Sequence, residues 1–244
     1  KKSVSDKIYI EFTAKNIKFF SEDHYNYNTI GIFIDCKKVD HYYCGSNFKI
    51  CINCHNLNLI MSTVDSSHKN LWFISDEREY KSQMLIVFEK NKIQEVPRIS
   101  LINDEGKEFK SELFNYEDYQ LKFKMNDKYF KKVINDLKKI SKFLVIRKEN
   151  SESPVIFEYK KDDKRINSYI TYYESEHFQI IKNIETENFI SHIKIAYINS
   201  ITNILIKGMV EINADEIKPT RIIINSDNEC IKTVIISKNT QNEL

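Results

Sequence analysis

The sequence predicts an α+β fold in which antiparallel β-sheets carry only a few short helices. Short runs that alternate apolar with polar residues, or that are rich in β-branched residues, fill most of the 244-residue chain. Tight polar turns separate these runs, which is typical of antiparallel sheets. Only three segments have the apolar spacing of a helix. They recur at an interval of about 70 residues, so we expect one structural unit to be repeated along the chain.

The strands are assigned from their two-residue apolar period. Asn, Asp, Ser and Lys form the turns between them, because only 4 glycines and 3 prolines are present. The predicted strands lie at residues 7–12, 16–21, 29–35, 48–53, 70–75, 84–90, 119–125, 142–148, 154–160, 168–174, 192–198, 209–213, 221–225 and 232–237.

Three helices are predicted, at residues 55–64, 128–140 and 198–206. Each follows a strand and shows apolar side chains on one face. If the residues before Lys7 are the end of a fourth helix, the chain divides into two matching halves with two helices each. The residues assigned to the apolar faces are Leu57, Ile60, Met61 and Val64 in the first helix, Phe130, Val133, Ile134 and Leu137 in the second, and Ile198, Ile201 and Leu205 in the third.

The repeat divides the chain into two domains, at residues 1–102 and 119–244, with a connector at 103–118. The region LINDEGKEFKSELFNYED (101–118) has six acidic residues and no regular period, so we expect an extended surface segment there. The chain opens with KKSVSDK rather than Met. We therefore expect the first domain to lack its N-terminal strand and most of its first helix.

Positive charge is concentrated locally although the chain is nearly neutral. The 37 basic and 35 acidic side chains leave a formal charge of +2, which does not support a general attraction to nucleic acid or membranes. In the second predicted helix, Asn126 is expected to cap the N-terminus and Asp127 to favour the helix dipole. Its polar face either keeps the helix soluble or contacts phosphates. The lysines of that face are Lys128, Lys131, Lys132, Lys138 and Lys139.

No pattern typical of catalysis or metal binding is found in the sequence. CINCH (51–55) has a Cys-x-x-Cys pair followed by His, but no second pair exists, and a zinc site would need ligands from Cys36, Cys44, His41 or His68. Cys54 is the one thiol whose position at a helix start favours a lowered pKa. No Gly-rich phosphate loop is present. We predict structural cysteines, no enzymatic activity, no metal and no cofactor, with a cysteine-dependent enzyme as a remaining alternative.

The odd cysteine count of 5 predicts free thiols and an intracellular, reducing compartment. The apolar runs are too short to cross a bilayer, and no secretory leader is visible.

Several stretches carry a family resemblance. YQLKFKMNDKYFKKVINDLKKISKFLVIRKENSESPVIFEY (119–159) has a strand ending in Met, a polar cap, a helix and two further strands. KICINCHNLNLIMSTVDSSHKNLWFIS (49–75) and IKIAYINSITNIL (193–205), the latter followed by MVEIN, each contain a strand-to-helix step. Over both halves, this order of elements resembles the DNA sliding clamps of the proliferating-cell-nuclear-antigen (PCNA) type. KKVDHYYCG (37–45) and the Asn- and Lys-rich composition are similar to divergent clamps of large DNA viruses.

The resemblance implies two similar clamp domains that assemble into a ring, usually of three protomers, with short helices lining a central hole and antiparallel sheets outside. Duplex DNA would pass through the hole, and the five lysines of the second helix, with Lys207, would face its phosphates. The first helix departs from the family because it offers His55, Asn56, Asn58 and Ser62 instead of basic residues. We expect the ring to close through edge strands near residues 96–101 and 168–174.

The resemblance also implies a pocket for short peptides of DNA polymerase and other replication or repair proteins. The alternative for these residues is an ordinary core or loop role. The predicted function is a polymerase processivity factor acting where DNA is replicated, in the nucleus or a cytoplasmic viral factory, and the alternative is a clamp-derived scaffold that no longer encircles DNA. The pocket residues are Tyr25, Tyr27, Ile30, Leu113, Phe114, Tyr116, Val234, Ile235 and Ile236.

Overall fold

The fold is described by a computed structural model that covers residues 6–22, 28–68, 70–75, 82–103, 114, 117–139, 141–160, 167–198, 208–226 and 230–237. Helices α1 (Cys54–Met61), α2 (Asp127–Leu137) and α3 (Ile195–Ile198) and a 3₁₀ turn (Cys36–Lys38) accompany the strands. The strands are β1 (Lys7–Phe12), β2 (Asn16–Glu22), β3 (Asn28–Asp35), β4 (Phe48–Asn53), β5 (Asn70–Ile74), β6 (Gln83–Lys90), β7 (Ile93–Glu95), β8 (Arg98–Ser100), β9 (Leu121–Asn126), β10 (Phe143–Lys148), β11 (Val155–Lys160), β12 (Asn167–Tyr172), β13 (Phe178–Lys182), β14 (Phe189–Lys194), β15 (Met209–Ala214), β16 (Thr220–Asn225) and β17 (Ile231–Ser237).

The strands predicted from the sequence are all present, and one of them needs correction. The run predicted as a strand at 192–198 is strand only to Lys194, and helix α3 begins at Ile195. The apolar alternation continues through Ile193 and Ile195, so the sequence places the start of this helix at Ile198, three residues too late. The strands β7, β8 and β13 were not among the predicted ones. The helices begin at Cys54, Asp127 and Ile195, close to the predicted interval.

Strands β6, β7 and β8 form one long hairpin. Its turn is closed by Lys90 opposite Ile93, and the two turn residues, Asn91 and Lys92, have φ values of 53° and 65°. Two positive φ values in a two-residue loop define a type I′ turn, whose twist matches that of the flanking strands. Strands β7 and β8 continue along the same edge of β6, with a break at Pro97, which lacks a backbone N–H donor.

One nine-stranded antiparallel sheet runs through both halves in the order β13-β9-β15-β16-β17-β3-β2-β1-β4. The halves meet where β17 pairs with β3 along 28–34 and 231–237. Two smaller sheets complete the described structure: β12-β11-β10-β14, and β5-β6 with β7 and β8.

The predicted internal repeat is present in the strand pairing. Strand β1 pairs with β2 and β4, and β2 pairs with β3; equivalently, β10 pairs with β11 and β14, and β11 pairs with β12. A further detail repeats at the helix starts. The first residue of α1, Cys54, donates its N–H to the Asp6 carbonyl at 2.7 Å, and that of α3, Ile195, donates to the Lys142 carbonyl at 2.8 Å. Asp6 and Lys142 directly precede the equivalent strands β1 and β10.

The large apolar cores lie on one face of the nine-stranded sheet. On this face, apolar side chains are paired across neighbouring strands from β9 to β17. The pairs are Phe123–Ile212, Ile212–Ile222 and Ile222–Ile235. The pairs Ile235–Ile30, Ile32–Phe19, Phe19–Ile10 and Ile10–Ile50 continue this face to β4. The second-half core includes residues of α2 and α3, and the first-half core contacts Leu57 and Ile60 of α1. The helices therefore pack on one side, with the sheet behind them.

Tyr172 in β12 gives the fold a testable pH dependence. Its ring stacks on Phe178 at 5.2 Å and contacts Phe157 at 5.0 Å. Burial, with a smaller contribution from Tyr129, raises the pKa of Tyr172 to about 12. Because the folded state holds this proton more tightly than the unfolded chain, its stabilising contribution is complete below pH 10 and is lost as the pH rises toward 12.

We expect the urea concentration at the unfolding midpoint to decrease as the pH is raised from about 10 to about 12. In the variant Tyr172→Phe, this midpoint should decrease less steeply. Equal slopes for the two proteins, measured by urea unfolding across this range, would contradict the assignment to Tyr172.

Candidate functional site

Helix α2 presents a lysine-rich face opposite a fully buried one. Phe130, Val133, Ile134 and Leu137 are at most 3% exposed, as the sequence predicts. The Asn126 side chain accepts a hydrogen bond from the Lys128 backbone N–H at 3.0 Å, which confirms the predicted N-cap. On the other side, Lys128, Lys132, Lys138 and Lys139 are exposed. The helix ends at Leu137, so Lys138 is its C-cap and Lys139 follows it.

Two of these lysines have partners of their own. The Lys131 ammonium lies 3.8 Å from the carboxylate of Asp127, one turn earlier, and its side chain is 25% exposed. The Lys138 ammonium donates to the Asn135 side-chain oxygen at 2.6 Å. Asp127 is itself buried. Lys131 thus neutralises a buried carboxylate, and it is less available to a ligand than Lys128, Lys132 or Lys139.

The other helices carry little charge. Asn53 caps α1 by accepting from the Asn56 N–H at 3.1 Å, and the helix offers His55, Asn56 and Asn58 to solvent. The predicted apolar face of α1 is only half-buried. The third predicted helix lies mostly outside the described residues, as does Lys207.

An apolar patch occupies the face of the nine-stranded sheet opposite the helices. Phe114, from the predicted connector, is only 7% exposed there. Its ring lies 5.6 Å from Phe20 and 5.4 Å from Phe33, and the two latter rings meet edge to face at 5.8 Å. Val234, Ile236 and Ile223 complete this group, which we call the Phe114 patch.

The sheet accommodates Phe114 because Gly31 lies beneath it. A β-carbon on Gly31 would come within 2.5 Å of the Phe114 ring, so only glycine permits this approach. Phe114 is held by its backbone as well. The buried guanidinium of Arg221 donates to the Phe114 carbonyl at 3.1 Å and lies 5.1 Å from the ring centre of Tyr119.

The structure divides the predicted pocket residues between two faces. Val234 and Ile236 lie in the Phe114 patch, whereas Ile235 and Ile30 pack on the opposite face in the second-half core. Strand alternation separates them, so Ile30 and Ile235 do not line a pocket with Phe114. Tyr25, Tyr27, Leu113 and Tyr116 lie outside the described residues.

Sequence reasoning missed the residues that actually surround Phe114, above all Phe20 and Phe33. A signal for them was present. Gly31 is an isolated glycine inside the apolar strand TIGIFID, a position that typically marks a close approach of another group. Phe33 follows Gly31 by two residues, on the same face of the strand.

All five cysteines lie within the described residues, and none of them forms a disulfide. Cys51 is buried in β4. Burial, with Asp6 nearby, raises the pKa of Cys54, which is opposite to the effect expected at a helix start. Burial also raises the pKa of Cys36. Among the described residues, no three His, Cys, Asp or Glu side chains are grouped so as to hold a metal. In the same part of the chain, no helix has the length and apolar character needed to cross a membrane.

The fold is that of the PCNA-type sliding clamps, which confirms the resemblance in the sequence. PCNA from Thermococcus kodakaraensis superposes with a TM-score of 0.77 at 11% identity, covering 97% of this chain and 91% of that one. A chain of the PCNA2–PCNA3 complex from Sulfolobus tokodaii superposes with a TM-score of 0.77 at 14% identity and the same coverage.

The relatives by sequence are viral. An uncharacterized protein of African swine fever virus, from a Kenyan pig isolate, is 22% identical over 222 residues, which is 87% of this chain and 73% of the viral protein. The corresponding protein of a Malawian tick isolate is 23% identical over 223 residues. No protein-family profile matches the chain.

Proposed function

We propose that this protein is a viral DNA sliding clamp. In this proposal three copies form a ring around duplex DNA and tether a DNA polymerase and other replication or repair proteins. Residues 1–102 and 119–244 form its two clamp domains, and 103–118 connects them. The protein works without catalysis or a cofactor at the site of viral DNA replication, in the nucleus or a cytoplasmic factory.

One observation carries the proposal. In each half, one described strand lacks the pairing that its equivalent in the other half makes. Within the chain, β3 of the first half pairs with β17 of the second. The strand equivalent to β3 in the second half is β12. Strand β6 lies between β5 and β7–β8 as β16 lies between β15 and β17, so β7–β8 is equivalent to β17. Among the described strands, β12 and β7–β8 lie at the ends of their sheets, and only the residues just after β8 bridge to β4, at Leu101 opposite Ile52. A second copy placing its β12 against β7–β8 would repeat the junction already present between the halves.

Repeating this junction from copy to copy is a head-to-tail association, which closes into a ring if the rotation permits. Edge strands with unpaired backbone groups favour such pairing. The helices lie on the side of the nine-stranded sheet opposite the Phe114 patch. If that helical side faces the hole, then the lysines of α2 face DNA phosphates.

The Phe114 patch supports the role of a tether. It shows that this face of the sheet accepts an aromatic side chain from a segment outside the sheet. Short peptides with an apolar anchor bind proteins in this way.

The second candidate, a clamp-derived scaffold that does not encircle DNA, is favoured by the uncharged face of α1. In that case the lysines of α2 keep the helix soluble and the patch alone serves partners.

The mass in solution separates the two candidates. Light scattering on a sizing column should give a species near three times the chain mass of 29.1 kDa at micromolar concentration. A stable species of one chain mass at that concentration would contradict the ring and favour the scaffold.

A further inference from the structure

A cavity of about 360 Å³ opens beside the Phe114 patch, on the same side of the nine-stranded sheet. Strand register brings its walls together. Asn16 of β2 stands opposite Asp35 of β3, and Lys232 of β17 stands opposite Phe33. Lys37, in the 3₁₀ turn after β3, also lines the cavity. Residues far apart in sequence therefore form one site at the ends of three adjacent strands.

The cavity is cationic and its positive charges are not neutralised. Lys15, Lys37 and Lys232 line it, all three are exposed, and none forms an ion pair within the described residues. The one carboxylate in the wall, that of Asp35, accepts the Lys37 backbone N–H at 3.0 Å and caps the 3₁₀ turn. Like charges gathered without counter-charges raise the local concentration of an anionic ligand.

The cavity also has an apolar wall that continues into the Phe114 patch. Phe33 lines the cavity, and its ring packs against the rings of Phe114 and Phe20. A ligand that reaches both features carries negative charge next to an apolar group. The connector offers an example in its own sequence, because Phe114 lies in SELFNYED (111–118) among acidic residues.

We propose that this lysine cavity binds an acidic segment of a partner protein, with carboxylates at Lys15, Lys37 and Lys232 and an adjacent apolar side chain against Phe33. The proposal deepens the tethering role above and rests on it. A peptide fits better than a nucleic acid because the Phe33 ring is engaged by two other rings, which leaves it poorly placed to stack on a base.

The test uses a fluorescein-labelled dodecapeptide with four glutamates around one phenylalanine in a Gly/Ser background. Its binding to the full chain is followed by fluorescence anisotropy at low salt. The variant Lys15→Ala/Lys37→Ala/Lys232→Ala should bind roughly tenfold more weakly, because three exposed ion pairs are lost. A peptide with glutamine in place of glutamate should bind the parent and the variant equally weakly.

The matched control is Lys128→Ala/Lys132→Ala/Lys139→Ala, which removes the same charge from α2 on the other side of the sheet. It should bind the acidic peptide as the parent does. Equal loss in both triple variants would show non-specific attraction and overturn the proposal. No binding up to about 1 mM peptide would also overturn it. A labelled twelve-residue oligothymidylate is tested in parallel. If it binds where the peptide does not, and if only the cavity variant loses this binding, the cavity is a nucleic-acid site instead.

A failure of the cavity to bind the acidic peptide is distinguishable from a failure of the clamp function. We expect the solution mass and DNA retention of the cavity variant to match those of the parent, because its three lysines lie away from α2 and from the proposed interface strands. A ring that fails to bind the acidic peptide overturns only this inference.

Discussion

The variant Arg98→Pro should be monomeric under conditions in which the parent chain forms a ring. Leu101 donates its N–H to the Ser82 carbonyl at 2.7 Å, and Ile86 donates to the Pro97 carbonyl at 3.0 Å, so the backbone groups of these odd-numbered positions face β6. Alternate residues of an antiparallel strand direct their backbone groups to opposite edges. The N–H groups of Arg98, Ser100 and Ile102 therefore point away from β6. That of Ile102 donates to the Cys51 carbonyl of β4 at 2.8 Å within the same chain, so the edge that we assign to the neighbouring copy lies toward Arg98.

Proline at 98 removes a donor from that edge and places its ring against the incoming strand, while the ladder to β6 keeps its donors. Light scattering should show the change from three chain masses to one. Arg98→Ala removes the same charge but keeps the N–H, so it is the matched control and should stay assembled. Circular dichroism and thermal unfolding show whether the proline variant is folded. A folded Arg98→Pro protein with the parent's mass would rule out this edge as the interface.

The second large effect is expected for Lys128→Ala/Lys132→Ala/Lys139→Ala on DNA binding. Each lysine that neutralises a phosphate contributes about one unit to the slope of log affinity against log salt. Removing three should lower that slope by about 3 and weaken binding to duplex DNA by about tenfold or more at low salt. Lys131 is left in place because its loss would leave the buried Asp127 carboxylate without its cation.

The cavity variant Lys15→Ala/Lys37→Ala/Lys232→Ala serves here as the control of equal charge. Titrations of a 30-base-pair duplex between 50 and 200 mM salt compare the three proteins. If both triple variants lose affinity equally, the attraction depends on overall charge, and the assignment of α2 to the DNA face is wrong.

The sequence predicts α2 well because its signals are local. The spacing of Phe130, Val133 and Ile134, with Asn126 before the first turn, determines both the buried face and the start of the helix. Strand β13 was not predicted because its register shifts between Ile180 and Lys182. Two apolar residues, Ile180 and Ile181, follow each other in the sequence at this irregularity and interrupt the alternation from which strands are recognised.

The site depends on contacts that local patterns do not contain. The position of Phe114 over Gly31 is a contact between residues far apart in sequence. Ile235 and Val234 lie on opposite faces of the sheet, which follows from the register of β17 on β3. The cavity lysines come from separate strands and turns. Only the pairing of β2, β3 and β17 brings them together, so single-sequence reasoning could identify the lysine face of one helix but not this cavity.

Retention on end-capped linear DNA tests the central claim most directly, because it measures encirclement and needs no loading enzyme. The chain is incubated with a linear duplex biotinylated at both ends, so that rings thread over the free ends. Streptavidin then caps the ends, and the sample is washed at about 0.5 M salt, where the screening length is only a few ångströms. A clamp should remain on the capped duplex, be absent from a duplex washed without caps, and be released when a restriction enzyme cuts between the caps. Equal loss from capped and uncapped DNA would contradict a ring that encloses the duplex.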